Sequence, residues 1–214
     1  MYKWDKLKFI EQNGVVAVVR KIDPTVVMEV TEAIVEGGIK VLEVTVDSED
    51  SFNTIHRLKE KYKTSVLVGA GTVLDKETAK QAIEAKADFI FSPILDIDTI
   101  QLTNRYGRIS IPGVYTPTEI VQAYAAGADI LKVFPATKLG PGYFKDMRGP
   151  LPHIPLMPTG GVSLENMTEF FNNGAVAVGI GSALFDKKLI DNRDFKQMTE
   201  IARQYVEKFN EVKA

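Results

Sequence analysis

The chain has 214 residues, 45% of them hydrophobic, with 26 basic against 28 acidic side chains and a formal net charge of −2. That length and apolar content suffice for one large core, and no composition shift or low-complexity stretch separates two, so a single domain over residues 1–214 is expected. Basic residues are scattered, which excludes the electrostatic footprint of a nucleic-acid or anionic-membrane binder, and the absence of cysteine excludes disulfides, a thiolate nucleophile and cysteine metal sites. Small molecules are the expected partners. Residues 1–13 mix Trp4, Leu7, Phe9 and Ile10 with Lys3, Asp5, Lys6, Lys8 and Glu11, unlike the uncharged apolar core of a signal peptide. No apolar run approaches the ~20 residues of a membrane span, so a cytoplasmic location is expected.

Runs rich in Val, Ile and Phe recur at 15–20, 41–46, 65–73, 89–93, 109–114, 130–135, 155–162 and 175–185. These are eight strand candidates. Between them lie helical periodicities, such as Val26/Val27, Val30, Ala33 and Ile34, then Ala79, Ala82 and Ile83. Helix starts are signalled by Asp23 before Pro24 and by Thr116-Pro117-Thr118-Glu119, which sets a capping threonine, a first-turn proline and a glutamate in order. Stops are signalled by Gly37-Gly38, Gly107, Gly127 and Gly174. A last amphipathic helix reads Phe195, Met198, Ile201/Ala202, Tyr205, Phe209 and Val212. Strand alternating with helix through about 200 residues predicts an α/β fold, a single (β/α)8 TIM barrel with an additional N-terminal helix. An open doubly wound sheet is the competing architecture.

Parallel strands covered by helices are apolar on the helix side, so polar residues within them mark the interior. In Val41-Leu42-Glu43-Val44-Thr45-Val46 the aliphatic Leu42, Val44 and Val46 suit the helix side, sending Glu43 and Thr45 inward. In Ile130-Leu131-Lys132-Val133-Phe134-Pro135 the same parity points Lys132 into the interior. Desolvation disfavours the ammonium and makes a neutral amine available, which is what nucleophilic attack on a ketone needs. The alternative is a lysine satisfied by an interior carboxylate. Glu43 is then either that neutralising partner or an acid/base acting through a water. Arg20 ends the first strand and belongs to the rim of the catalytic face, as an anion contact or as a structural residue.

Pro158-Thr159-Gly160-Gly161-Val162 and Gly179-Ile180-Gly181-Ser182-Ala183 follow the seventh and eighth strand runs, where such barrels bind phosphate through bare backbone N–H groups. Ordinary tight turns are the other reading. Gly69-Ala70-Gly71-Thr72 after the third run carries a weaker version of the same signal, and no glycine cluster has the third glycine of a dinucleotide fingerprint. The two histidines, His56 and His153, form no metal-binding spacing. No cofactor and no metal are expected, and an amine is left to supply the electron sink.

Val18-Val19-Arg20, Leu42-Glu43-Val44-Thr45, Gly69-Ala70-Gly71-Thr72-Val73, Phe91-Ser92-Pro93, Ile111-Pro112-Gly113, Leu131-Lys132-Val133-Phe134-Pro135-Ala136 and the two glycine loops, in this order, resemble the class I 2-keto-3-deoxy-6-phosphogluconate and 4-hydroxy-2-oxoglutarate aldolases. The resemblance covers about residues 13–190. It implies a Schiff-base lysine at Lys132, a proton-shuttling glutamate at Glu43, and contacts to the pyruvate moiety from Thr72, Pro93 and Phe134. It further implies a phosphate site from Thr159, Gly160 and Gly161 with Gly181 and Ser182, and a homotrimer. The implied reaction is cleavage of 2-keto-3-deoxy-6-phosphogluconate to pyruvate and glyceraldehyde 3-phosphate, a step of the Entner-Doudoroff pathway. Cleavage of 4-hydroxy-2-oxoglutarate to pyruvate and glyoxylate is a further activity, and 2-keto-3-deoxy-6-phosphogalactonate an alternative substrate. One departure stands out: well-studied members carry an arginine for the substrate carboxylate where this chain has Asp47, which leaves Arg20 as the candidate for that contact. A catalytically silent phosphosugar-binding barrel and a phosphosugar isomerase or epimerase share the fold-level features.

Overall fold

In the computed structural model, which describes residues 1–213, strand and helix alternate as the sequence periodicities demand. Helix α1 (Lys3–Asn13) leads into β1 (Val15–Val19), α2 (Val27–Glu36), β2 (Val41–Thr45), α3 (Ser51–Tyr62), β3 (Leu67–Gly71), α4 (Lys76–Glu84), β4 (Phe89–Phe91) and α5 (Ile97–Arg105). Then come β5 (Ile109–Ile111), β6 (Gly113–Val114), α6 (Pro117–Ala125), β7 (Leu131–Val133), α7 (Gly140–Arg148), β8 (Leu156–Pro158), α8 (Met167–Asn172), β9 (Val178–Ile180), α9 (Lys187–Asp191) and α10 (Phe195–Lys213). No described helix is long and apolar enough to cross a membrane.

Local chemistry accounts for several boundaries. At α6 the expected capping box is formed: the Thr116 N–H donates to the Glu119 carboxylate at 2.8 Å and the Thr116 hydroxyl accepts from the Glu119 N–H at 3.3 Å. At Asp23 the expected helix start is displaced. Its carboxylate accepts from the backbone N–H and the hydroxyl of Thr25, stabilising a turn, and α2 begins only at Val27.

All strand pairs are parallel and fall into two sheets, one ordered β5-β4-β3-β2-β1-β9 and the other β6-β7-β8. The eight expected runs are all present, but their ladders do not form one continuous eight-stranded cylinder. One seam lies inside run 109–114, where Pro112 has no N–H to give a ladder and divides β5 from β6. The other lies between β8 and β9, which are joined by the single bridges Leu156↔Ala175 and Thr159↔Gly179.

Residues alternate along the strands between two apolar clusters. Val15, Ala17, Val19, Leu42, Val44, Val68, Leu131 and Val133 pack against the helices. Val16, Val41, Leu67, Phe89, Phe91, Ile109, Ile130, Met157 and Ala177 meet one another on the opposite side. An open doubly wound sheet would cover both sides with helices, whereas here the second cluster receives helical side chains from α1 alone among the described residues, Ile10 with Leu7 and Phe9 beside it. That helix is pinned at the amino ends of the strands by Lys3–Asp129 at 2.9 Å and Lys6–Asp88 at 2.6 Å.

Asp88 is 3% exposed, and it also accepts from Lys59 at 2.6 Å and from the Val68 N–H at 3.1 Å. Buried charge is tolerated here because each group is paired. Asp88→Ala leaves two largely buried ammonium groups without a carboxylate, Lys59 keeping only the Lys63 carbonyl, and is expected to cost about 3–5 kcal/mol. Urea denaturation checks this: an unchanged midpoint would mean that the two lysines find water instead.

Candidate active site

Lys132 stands at the centre of β7, flanked in register by Gly113 of β6 and Met157 of β8. Leu131 and Val133 take the helix side, so the Lys132 side chain points inward as its parity requires, and the residue is only 5% exposed. Its Nζ lies 4.3 Å from the centroid of the Phe91 ring and 4.5 Å from that of Phe134. Among the described residues, Lys132 forms no salt bridge. The fully paired interior lysine, one of the two sequence readings, is therefore not what the fold builds. Burial drives the Lys132 amine below the ordinary lysine range; the charge of Glu43 opposes this and that of Arg20 adds to it.

Glu43, inward on β2 between Val18 and Gly69, is 1% exposed, and its Oε2 has no hydrogen-bond partner. Burial pushes its carboxyl up to about 7, against the pull of Lys132 and Arg20. An interior acid and an interior amine thus sit within each other's field, each biased by desolvation toward its neutral form.

The glycine motif expected after the third strand has both its glycines inside β3, and one of them serves this pair. A Cβ at Gly71 would overlap Oε1 of Glu43, and one at Gly69 would overlap the Phe89 ring. These glycines clear space for interior side chains. Thr72 follows at φ 58, a left-handed conformation that a β-branched residue adopts only when its surroundings impose it.

Arg20, Phe134, Thr159, Gly160, Gly161, Gly181 and Ser182 line one cleft of about 470 Å³ at the carboxyl ends of β1, β7, β8 and β9. Lys132 adjoins it through Phe134, whose ring it meets. Glu43, Thr72 and Pro93 are not among the lining residues. The latter two follow β3 and β4, each half-buried. Gly160 and Gly161 take φ 87 and 76, and the Asn166 side chain holds the loop by donating to the Gly161 carbonyl at 2.8 Å. The N–H groups of Gly161 and Ser182 donate to no protein acceptor among the described residues. Thr159 is 6% exposed with its hydroxyl unpartnered, and a Cβ at Gly179 would overlap that oxygen. Among the described residues no group of three His, Cys, Asp or Glu side chains is placed to hold a metal ion.

Sequence reasoning missed two participants and one contact. Phe91 shares its face with Phe89 by simple alternation, which would have pointed it inward, though not to its place under Lys132. Lys21 lines the cleft beside Arg20. Asp47, which stands where well-studied family members carry an arginine, is ion-paired to Arg20 at 3.1 Å, with Lys21 at 3.7 Å from the same oxygen.

A family model described as KDPG and KHG aldolase matches residues 7–201. The chain is 32% identical to the 2-dehydro-3-deoxy-phosphogluconate aldolase of Pseudomonas aeruginosa, over 86% of this chain and 84% of that one. To the 2-dehydro-3-deoxy-6-phosphogalactonate aldolase of Escherichia coli it is 30% identical, over 90% and 94%. The structure superposes with a TM-score of 0.85 and 26% identity on the KDPG aldolase of Legionella pneumophila, solved with pyruvate captured as a covalent carbinolamine, covering 92% of this chain and 96% of that one. Fold and comparisons together define a class I aldolase, a lyase. The chain belongs to the KDPG and KHG aldolase family.

Because the place of the Glu43 carboxylate depends on a missing Cβ, Gly71→Ala is expected to displace it and lower kcat about 100-fold, the scale of an ångström misplacement of a catalytic group. Steady-state kinetics together with a circular dichroism melt check this; full kcat in a folded variant would remove Glu43 from the chemistry.

Proposed function

We propose that the chain reversibly cleaves 2-keto-3-deoxy-6-phosphogluconate to pyruvate and glyceraldehyde 3-phosphate through a Schiff base on Lys132, with 4-hydroxy-2-oxoglutarate as a second substrate. The observation that carries this reading is the amine of Lys132, buried over two aromatic rings without an ion pair and within the field of Glu43. The glycine-lined cleft beside it supports a phosphorylated substrate. In the same reading the two sheets act as one closed (β/α)8 barrel and one domain. The chains form a trimer that covers exposed apolar side chains such as Ile94, Ile97, Tyr115 and Val121.

The steps follow from the groups present. The Lys132 lone pair adds to the C2 carbonyl, whose oxygen takes a proton and leaves as water with a second proton relayed from Glu43. In the resulting iminium the Glu43 carboxylate, through a water, removes the C4 hydroxyl proton. The C3–C4 electrons move into the iminium, releasing the aldehyde and leaving an enamine. Glu43 returns the proton to C3, and water hydrolyses the imine to pyruvate and free Lys132. A carboxyl that titrates at about 7 suits both halves of this cycle, since it must give and take a proton in turn. The free N–H groups of Gly161 and Ser182 hold the phosphate far from the reacting carbon, where binding energy orients the substrate. Thr72 and Pro93 contact the pyruvate half together with Phe134, and Arg20 takes its carboxylate.

The galactonate epimer is a second reading, favoured by the relative named for that substrate at an identity close to that of the gluconate enzyme. The two differ at C4, so kcat/KM for both substrates ranks them.

Borohydride reduction in the presence of pyruvate is expected to add one pyruvate-derived group per chain, mapped to the peptide containing Lys132, and none in Lys132→Arg. Intact mass and peptide mapping read it. An unmodified chain, or an adduct on another lysine, would overturn the Schiff-base assignment and leave a binding barrel or an isomerase.

A further inference from the structure

The cleft has two kinds of anion donor. One is the backbone of the glycine loops; the other is the cationic rim formed by Arg20 and Lys21. A phosphorylated 2-keto acid also has two anionic ends, a monoanionic carboxylate and a phosphate monoester that is largely dianionic at neutral pH. Nothing in the donors of the glycine loops forbids the reversed orientation, with phosphate on the cations. The reversed substrate would keep its C2 ketone away from Lys132.

Behind the two cations stands Asp47. One of its oxygens lies 3.1 Å from the Arg20 guanidinium and 3.7 Å from Lys21 Nζ. Around it, Thr45 Oγ1 and Ser48 Oγ are 2.9 Å apart, and the Lys21 N–H donates to Ser48 at 2.8 Å, with Lys21 itself in a left-handed conformation at φ 52. Partial burial works against its ionisation, yet the Thr45 hydroxyl and the Arg20 guanidinium hold its carboxyl below the ordinary range, so it is charged at neutral pH. Asp23 and Glu49 line an adjoining groove with Lys21, but neither is ion-paired with it among the described residues. Two cations sharing one carboxylate leave the rim with a single net positive charge.

We propose that Asp47 is a specificity-determining residue: by dividing itself between Arg20 and Lys21 it fits the rim to a monoanionic carboxylate and against a phosphate dianion, so that the substrate docks in one orientation. Without Asp47 the rim would carry two positive charges and match the phosphate end instead. The residue acts through Arg20 and Lys21 and is a positioning residue. This inference rests on the cleft being the site of a phosphorylated 2-keto acid.

The test uses inorganic phosphate and the whole protein, at about pH 8, where a phosphate group is mostly dianionic. In a titration followed by ³¹P NMR, Asp47→Asn is expected to bind phosphate about three- to fivefold more tightly than the wild type, the scale of a partly exposed charge contact. Asp47→Glu should behave as wild type, and adding Arg20→Ala to Asp47→Asn should remove the gain. In parallel, phosphate should slow pyruvate trapping in Asp47→Asn more than in the wild type. Equal phosphate affinity in wild type and Asp47→Asn, or a gain that survives Arg20→Ala, overturns the proposal. Failure of the wild type to trap pyruvate instead sinks the Schiff-base reading, and the phosphate titration still decides the role of Asp47.

Discussion

Moving an ammonium from water into an apolar interior costs several kcal/mol when nothing pairs with it. The fold imposes that condition on Lys132: strand parity turns the side chain inward, two phenylalanine rings face its nitrogen, and the nearest acid is itself desolvated. The fold therefore shifts the amine toward its neutral form, which is also the nucleophilic one. Cation–π contact with Phe91 and Phe134 tempers this without reversing it, because the rings also exclude the water that would stabilise the ion.

Much of the surrounding structure is arranged to keep that condition. The apolar layer formed by Val16, Val41, Leu67, Phe89, Ile109 and Ile130 fills the interior toward the amino ends of the strands, and α1 adds Ile10 to it. Paired charges are kept at that end, where Asp88 is shared by Lys6 and Lys59. At the other end, bare glycines admit Glu43 and Thr159 to the interior and leave N–H groups free in the loops. One end of the interior is thus closed by apolar packing and paired charge, while the other holds Lys132, Glu43 and the glycine loops.

What was legible in the sequence is what depends on local period. The inward direction of Glu43 and Lys132 follows from alternation with aliphatic neighbours, and the eight strand runs follow from composition and spacing. The hidden features are those that depend on register between distant strands. Asp47 meets Arg20 only because β1 and β2 pair with Val19 opposite Val44, a fact no local pattern contains. The glycines at 69 and 71 looked like a loop motif, because the side chains that need their space, Phe89 and Glu43, come from other strands. Pro112 is visible in the sequence, but the apolar run around it masks the break it makes in the ladder.

The whole account depends on the protonation of one buried amine. An NMR titration of lysine Cε signals in ¹³C-lysine-labelled protein, with Lys132 assigned by its loss in Lys132→Arg, measures this without substrate. The account predicts a Lys132 midpoint well below the ordinary lysine value of about 10.4, and a further downward move in Glu43→Gln, since the glutamate's charge is what holds the ammonium. A midpoint at or above the ordinary value would contradict it, for Lys132 would then be a protonated structural lysine at every pH at which the protein works.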